Sequence, residues 1–407
     1  MKVFVGDIKV GMCLIEDVKG STGRFLLSAG SVIKEQHLRI FNIWGVSEVE
    51  VECCSMNDDK ADADSELLEL AGEHAGKIFC QVDTEVIPMQ ILKDVCTKHY
   101  AAILAEGRPL RSLPDFSSAN SEMPTAPLYT DIESFISSGV QLNSFPDIYY
   151  KIMDAINDPG TTSENLADVI SKDSGLSARL LSLVNSPLYG LSLPVESLSR
   201  AVSIIGRTGL SQLALSVSVM DSFKGKGESV LFMEDFWKHS LACAVFCRIL
   251  ASQVPSASQD RCFVVGMLHD LGRLILMQHY PDEVCDSFYM SMAHGMTICE
   301  AETRIFGFDH CGLAGALFEE WNFPPSLISA VAGHHGDLRR EFSIESAVCA
   351  VAESLSVALQ YGCDGSGLVS DIYPGAWDSL GLSCGALATT VLKAKRQIAD
   401  IHIIFGV

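Results

Sequence analysis

The sequence predicts a mainly α protein, one long all-helical domain preceded by a small β-rich N-terminal module. Three observations point there. Apolar stripes of helical spacing recur from about residue 130 to the C-terminus, alternation of period two is confined to the N-terminal part, and Gly or Pro separates segments of helical length. At 407 residues the chain exceeds the size at which one hydrophobic core usually stops growing, so more than one unit is expected.

Residues 1–56 carry the β signals: short runs at 3–5 and 25–27 and an alternating run at 46–51, with Gly6, Gly11, Gly20, Gly23 and Gly30 between them. Residues 57–106 read as an acidic, helical connector. Seven acidic side chains face the single Lys60 between residues 57 and 73, which suits a solvated helix start, and a helical pattern follows over 87–104. Residues 107–128 hold Pro109, Pro114, Pro124 and Pro127 with little periodicity, and read as a Pro/Ser-rich linker.

The main helical domain is expected over 129–345. Within it Thr161 and Glu164 have the spacing of a capping box ahead of Leu166, Val169 and Ile170. Leu176, Leu180, Leu181 and Val184 mark the next apolar stripe, which Asn185-Ser186-Pro187 ends. Residues 346–407 supply C-terminal helices whose stripe, Leu387, Val391, Ala394 and Ile398, needs that domain to cover it.

Composition excludes several function classes. With 51 acidic against 29 basic residues the net charge is -22, which repels phosphate backbones, so direct nucleic-acid binding is not expected. Arg339-Arg340 and Lys395-Arg396 are the only adjacent basic pairs. Every apolar run falls short of a bilayer span, and residues 1–7 lack the basic-then-apolar pattern of a signal peptide, so a cytoplasmic location is expected. The 14 cysteines form no CxxC pair and read as reduced, mostly buried thiols.

The histidines and carboxylates carry the chemistry. Of 11 histidines, five form one ordered set: His239, His269, His310, His334 and His335. Asp270 directly follows His269, Asp235 precedes His239 by one helical turn, and Glu353 comes after the last pair. The apolar residues around Gly266-Met267-Leu268-His269-Asp270-Leu271-Gly272-Arg273 imply a buried helix. Burying adjacent ionisable groups is costly unless something pairs with them, and imidazole with carboxylate suits Fe, Mn or Zn. A lone histidine on an apolar face is more often a hydrogen-bonded core residue; it is the ordered set that favours ligation.

The order His…His-Asp…His…His-His…Glu resembles the ligand series of the HD superfamily, and the surrounding words resemble its HDOD branch. Phe236-Trp237-Lys238-His239-Ser240-Leu241-Ala242, Leu268-His269-Asp270-Leu271-Gly272-Arg273-Leu274, Gly307-Phe308-Asp309-His310 and the stretch from Trp321-Asn322-Phe323-Pro324 to His334-His335 carry it. So do Phe145-Pro146, Asn157-Asp158-Pro159, Ile170-Ser171-Lys172-Asp173 and Leu183-Val184-Asn185-Ser186-Pro187-Leu188-Tyr189-Gly190. The resemblance spans roughly residues 138–340. Residues 1–52 resemble, more weakly, a module that precedes some HD-GYP phosphodiesterase domains.

The resemblance implies an all-helical HD-like domain and a metal site of one or two ions. Its ligands would be Asp235, His239, His269, Asp270, His310, His334, His335 and Glu353. Asp235 stands where the series has glutamate, and Glu353 where it has aspartate. Arg273 replaces the lysine that follows the HD pair and is the expected substrate-binding group. After His335 the chain runs Gly336-Asp337-Leu338-Arg339-Arg340 with no Gly-Tyr-Pro signature, so the loop that reads cyclic dinucleotides is missing. The expected function is signal transduction through binding of a small nucleotide ligand or a signalling protein. The alternatives are a metal-dependent phosphohydrolase and a protein-interaction adaptor whose histidines only hold the core together.

Overall fold

The structure, a computed structural model, describes residues 58–113, 123–140, 145–158, 160–223, 230–336 and 343–407. Before residue 58 it describes residues 2–4, 13–14, 18–19, 25–27, 33, 37–38, 40–41, 46 and 48–52. The chain forms two compact units, Met1–Glu69 and Leu70–Val407.

In the first unit the Glu48–Glu52 strand is central, with Lys2–Phe4 and Cys13–Leu14 antiparallel on its two sides. Val18–Lys19 pairs with Phe25–Leu27. The alternation read at 46–51 places Val49 in a small core with Leu14, Val18, Ile33 and Phe41.

Among the described residues of the second unit every regular element is a helix. Its hub is Val230–Ala251, a helix apolar on nearly all sides and therefore able to sit inside a bundle. Gln259–Leu268, Ile344–Ala358 and Cys384–Phe405 pack around it. Leu387, Ala394 and Ile398 of the last helix are buried, as its stripe predicts.

Five helices, Asp147–Asn157, Ser163–Ser171, Ser174–Val184, Leu198–Ile205 and Arg207–Phe223, form a sub-bundle ahead of this hub. Thr162, not Thr161, caps the second of them: its side chain accepts the Asn165 N–H at 3.2 Å, while Thr161 closes the preceding turn onto Asp158. The third ends at Val184 as read, and Asn185 then clamps the following loop by bonding Val195 N and O at 2.7 and 2.8 Å.

The compact unit begins at Leu70, so it takes in much of the segment read as connector. The Ile87–Ala105 helix docks through Cys96 Sγ, 3.0 Å from Ala358 O, and through Tyr100, whose hydroxyl donates to the same carbonyl. Of the expected linker, residues 114–122 lie outside the described residues. Ahead of them Arg111 pairs with Asp235 at 2.6 Å. Among the described residues no single helix is long and apolar enough to cross a membrane.

Candidate functional site

Six helices and two glycines bring the site together. His239 comes from Val230–Ala251, His269 and Asp270 from the break after Gln259–Leu268, and Arg273 from the next helix, Leu271–His279. His310 opens the His310–Glu320 helix, His334 and His335 follow Pro325–Ala332, and Glu353 lies on Ile344–Ala358. A Cβ on Gly272 would stand 2.1 Å from His310 O, so only glycine lets those two helices meet. Gly362, at φ +76°, is equally constrained: its Cβ would stand 2.3 Å from Asp235 O and His239 N. That approach lays the loop bearing Asp364 beside the His239 helix.

His239, His269, Asp270, His310 and His334 are each 0% exposed. The rings of His269, His334 and His310 are held in orientation from behind. His269 Nδ1 donates to Gly266 O at 2.9 Å and His334 Nδ1 to Val331 O at 2.6 Å. His310 Nδ1 lies 2.5 Å from Glu302 Oε2. A carbonyl or carboxylate oxygen can only accept, so the Nε2 lone pairs of all three rings face inward, the tautomer that metal-binding histidines use.

They face Asp270. Its Oδ2 is 3.3 Å from His269 Nε2 and 3.7 Å from His239 Nε2, and its Oδ1 is 3.4 Å from His310 Nε2 and 3.8 Å from His334 Nε2. His239 and His269 Nε2 are 3.4 Å apart, as are His310 and His334 Nε2. His335 Nε2 lies 3.4 Å from Glu353 Oε1.

Arg273 is 1% exposed and enters the same cluster. Its Nη1 donates to Asp270 Oδ2 at 3.0 Å and its Nη2 to His310 Nε2 at 3.1 Å. Asp364 Oδ2, at 3.4 Å, and Glu302 Oε1, at 3.6 Å, complete its ion pairs.

Burial, and then His269, pushes His239 down to about 4. Burial with the neighbouring histidines holds His334 and His335 well below the usual range. For Asp270 burial acts upward, but Arg273 and His269 outweigh it and hold the carboxyl well below its ordinary value. Glu353, with burial and the Asp270 charge both acting upward, is raised to about 8.

The donor set fits a transition-metal ion. Asp270 Oδ1, Glu353 Oε1 and His239 Nδ1 are buried without a hydrogen-bond partner. His269, Asp270, His334 and Glu353 each offer a ligand atom within 4.8 Å of the others, and so do Asp270, His310, His334 and His335. Inward lone pairs beside a carboxylate repel one another unless a cation lies among them.

Asp235 is not brought into this cluster. Its side chain is 34% exposed and bound to Arg111. Sequence reasoning also missed Glu302 and Asp364. Glu302 is legible in retrospect, since it shares the buried face of its helix with Ala301, Ile305 and Phe306. Asp364 sits in a Gly-rich turn, held by the Ser366 and Gly367 N–H groups at 3.1 and 3.0 Å, and no periodicity marks it.

A cavity of about 190 Å³ opens at the edge of the cluster, where His335, Asp364 and Cys299 form part of its wall.

Comparison with known proteins places part of this chain in a family. Residues 142–336 match the model of the HDOD domain. An uncharacterized protein of Treponema pallidum (strain Nichols) is 25% identical over 257 residues, 61% of this chain and 48% of that protein. YuxH of Bacillus subtilis (strain 168) is 24% identical over 143 residues, 35% of this chain and 34% of that protein. The matches thus span about half and a third of those relatives' lengths.

Among solved structures, an HDOD domain protein of unknown function from Geobacter sulfurreducens superposes with a TM-score of 0.53 at 25% identity, covering 67% of this chain and 96% of that one. A candidate signal transduction protein from Marinobacter aquaeolei VT8, at 20% identity and TM-score 0.50, shares the fold over 82% of this chain and 68% of its own. The all-helical fold, the ordered histidines and the family match agree: residues 142–336 of this chain are an HDOD domain.

Proposed function

We propose that this chain is a regulatory signal-transduction protein. In this reading the buried cluster holds a transition-metal ion, Fe, Mn or Zn, and the output is binding of a small ligand or a signalling partner, without turnover. The observation that carries it is enclosure. Five of the cluster's side chains are wholly buried, and among the described residues the cavity reaches it only at His335 and Asp364.

A metal that hydrolyses phosphodiesters needs an open position where water and a phosphate oxygen can both reach it. When bound here, the ion would compensate the inward lone pairs and the Asp270 and Glu353 carboxylates. The residues' own task is then to hold the Ile344–Ala358, Val230–Ala251 and His310–Glu320 helices about one centre. A ligand in the cavity would act on that centre through His335 and Asp364, both of which touch Arg273.

The test is a hydrolysis panel of cyclic dinucleotides, nucleoside triphosphates and bis(p-nitrophenyl) phosphate, run on the full chain loaded with Mn(II), Fe(II) or Zn(II). No turnover above the metal-only blank is expected. Metal-dependent turnover that disappears in Asp270→Ala establishes the phosphohydrolase reading instead.

A further inference from the structure

We propose that the Arg273 guanidinium stands in for a second metal ion, so that the cluster takes one ion per chain, on the side of His239 and His269. This rests on the reading that the cluster binds metal, and it fixes how many ions and where.

The cluster divides into two halves about Asp270. In the first, the Nε2 atoms of His310 and His334 face each other at 3.4 Å, and both rings have their Nδ1 protons committed elsewhere. Arg273 Nη2 reaches into this half, 3.1 Å from His310 Nε2 and 3.5 Å from His335 Nε2. Three carboxylates, Asp270, Glu302 and Asp364, surround the guanidinium. Two imidazoles and three carboxylates are what a bound cation collects, and a guanidinium is permanently charged, so it provides that cation at any working pH. A divalent ion between His310 and His335 would compete for the same nitrogen atoms and meet a like charge.

In the second half the guanidinium is hydrogen-bonded to no histidine; Arg273 Nη1 meets it only at the shared Asp270 Oδ2, at 3.0 Å. The Nε2 atoms of His239 and His269 are 3.4 Å apart, with Asp270 Oδ2 at 3.7 and 3.3 Å. His269 has its Nδ1 proton on Gly266 O, and Glu353 Oε1 is buried without a hydrogen bond. With His334, which is shared between the halves, His269, Asp270 and Glu353 offer their atoms within 4.8 Å of one another. What stays uncompensated here is the facing pair of His239 and His269 Nε2 atoms and Glu353 Oε1.

The experiment counts ions on the full, untagged chain. Protein is saturated with Mn(II), freed of excess by gel filtration, assayed for metal and examined by electron paramagnetic resonance. Wild type is expected to carry one Mn(II) per chain with the spectrum of an isolated ion. Arg273→Ala is expected to carry two, with a spin-coupled spectrum. Two ions in wild type overturn the inference and leave the metal-binding reading standing, whereas none in wild type sinks both. A single ion in folded Arg273→Ala also overturns it. Should Arg273→Ala fail to fold, Arg273→Gln, of similar length but without the charge, decides: two Mn(II) per chain are expected, and a single ion overturns the assignment. His269→Ala, in a chain that keeps Arg273, is expected to lose the one ion.

Discussion

Glu302 Oε2 accepts two N–H groups of His310, the ring Nδ1 at 2.5 Å and the backbone nitrogen at 2.9 Å. One carboxylate oxygen thus fixes both the start of a helix and the tautomer of the imidazole that begins it. Burial alone would raise the Glu302 carboxyl, but His310 and Arg273 outweigh it and hold it below its ordinary value, so it accepts as an anion.

Glu302→Ala is therefore expected to weaken the metal site through its neighbour. His310 would be free to turn its proton toward Arg273 Nη2, 3.1 Å away, and so disturb the guanidinium that Asp270 shares; a loss of about tenfold in metal affinity, the low end for a supporting partner, is expected. Glu302→Gln still accepts through its amide oxygen and should lose less. Chelator competition with Mn(II) or Zn(II) measures both; identical affinities for Glu302→Ala and wild type would remove Glu302 from the metal's support.

Metal removal should also lower stability. A ligand bound only to the native state adds RT ln(1 + [L]/Kd), about 2.7 kcal/mol at a hundred times Kd. Dialysis against a chelator is expected to lower Tm by several degrees, and added Fe, Mn or Zn to restore it. Asp270→Ala should show neither change, since Asp270 faces His239, His269, His310 and His334 at once. A chelator-insensitive wild type would leave the cluster as a packed core.

Gly272 offers a test of the scaffold. A Cβ there would stand 2.1 Å from His310 O and 3.0 Å from Ala314 N, both of them backbone atoms of the facing helix. Backbone cannot rotate away as a side chain can, so Gly272→Ala is expected to cost about 3 kcal/mol or more. Urea unfolding should show a lower midpoint, and a change under about 0.5 kcal/mol would mean the two helices part easily.

Most of the fold was legible because its signals are local. The stripe over Leu387, Ala394 and Ile398 needs only helical spacing, and Asn185-Ser186-Pro187 stops a helix by its own chemistry. The site was legible in part for the same reason: His269-Asp270 announces itself by adjacency. What stayed hidden depends on distant chain. Asp235 has the right spacing from His239, yet Arg111, 124 residues away in sequence, captures it. Asp364 reaches Arg273 only because Gly362 lets its loop lie against the His239 helix. Arg273 was readable as a departure from the family word, but its burial among three carboxylates was not.

The stretch around Leu188-Tyr189 is anchored by one arginine. Arg248 lies over the Tyr189 ring at 3.9 Å, donates to Asp260 Oδ1 at 2.5 Å and reaches Leu188 O at 3.3 Å. The Tyr189 hydroxyl lies 3.1 Å from the same Asp260 oxygen. One arginine therefore ties the loop between the sub-bundle's third and fourth helices to the hub helix. Arg248→Ala is expected to cost about 2–3 kcal/mol, by stripping a largely buried carboxylate of its partner and exposing the tyrosine ring. A double-mutant cycle with Asp260→Ala should give a coupling above about 1 kcal/mol, and additive single effects would show that the pair is not what holds the loop.

Acid is expected to weaken the docking of the Ile87–Ala105 helix. His99 lies on this helix, its ring 6.4 Å from that of Tyr361 and 6.0 Å from that of Tyr100. Burial first, then the charges of Lys395 and Arg108, lower its pKa, against a smaller upward pull from Glu106. The folded value thus lies below the unfolded value of about 6.5, so the unfolded chain takes up the proton more readily. The stability this neutral ring contributes is fully present above about pH 6.5 and is lost as pH falls through the folded value. Urea midpoints measured at pH 8 and pH 5 should therefore fall for wild type. In His99→Gln, which cannot protonate, the fall should be smaller, by an amount equal to the contribution of this one ring. If the two proteins lose the same stability between those pH values, His99 is solvated in the folded state and the helix docks without burying it.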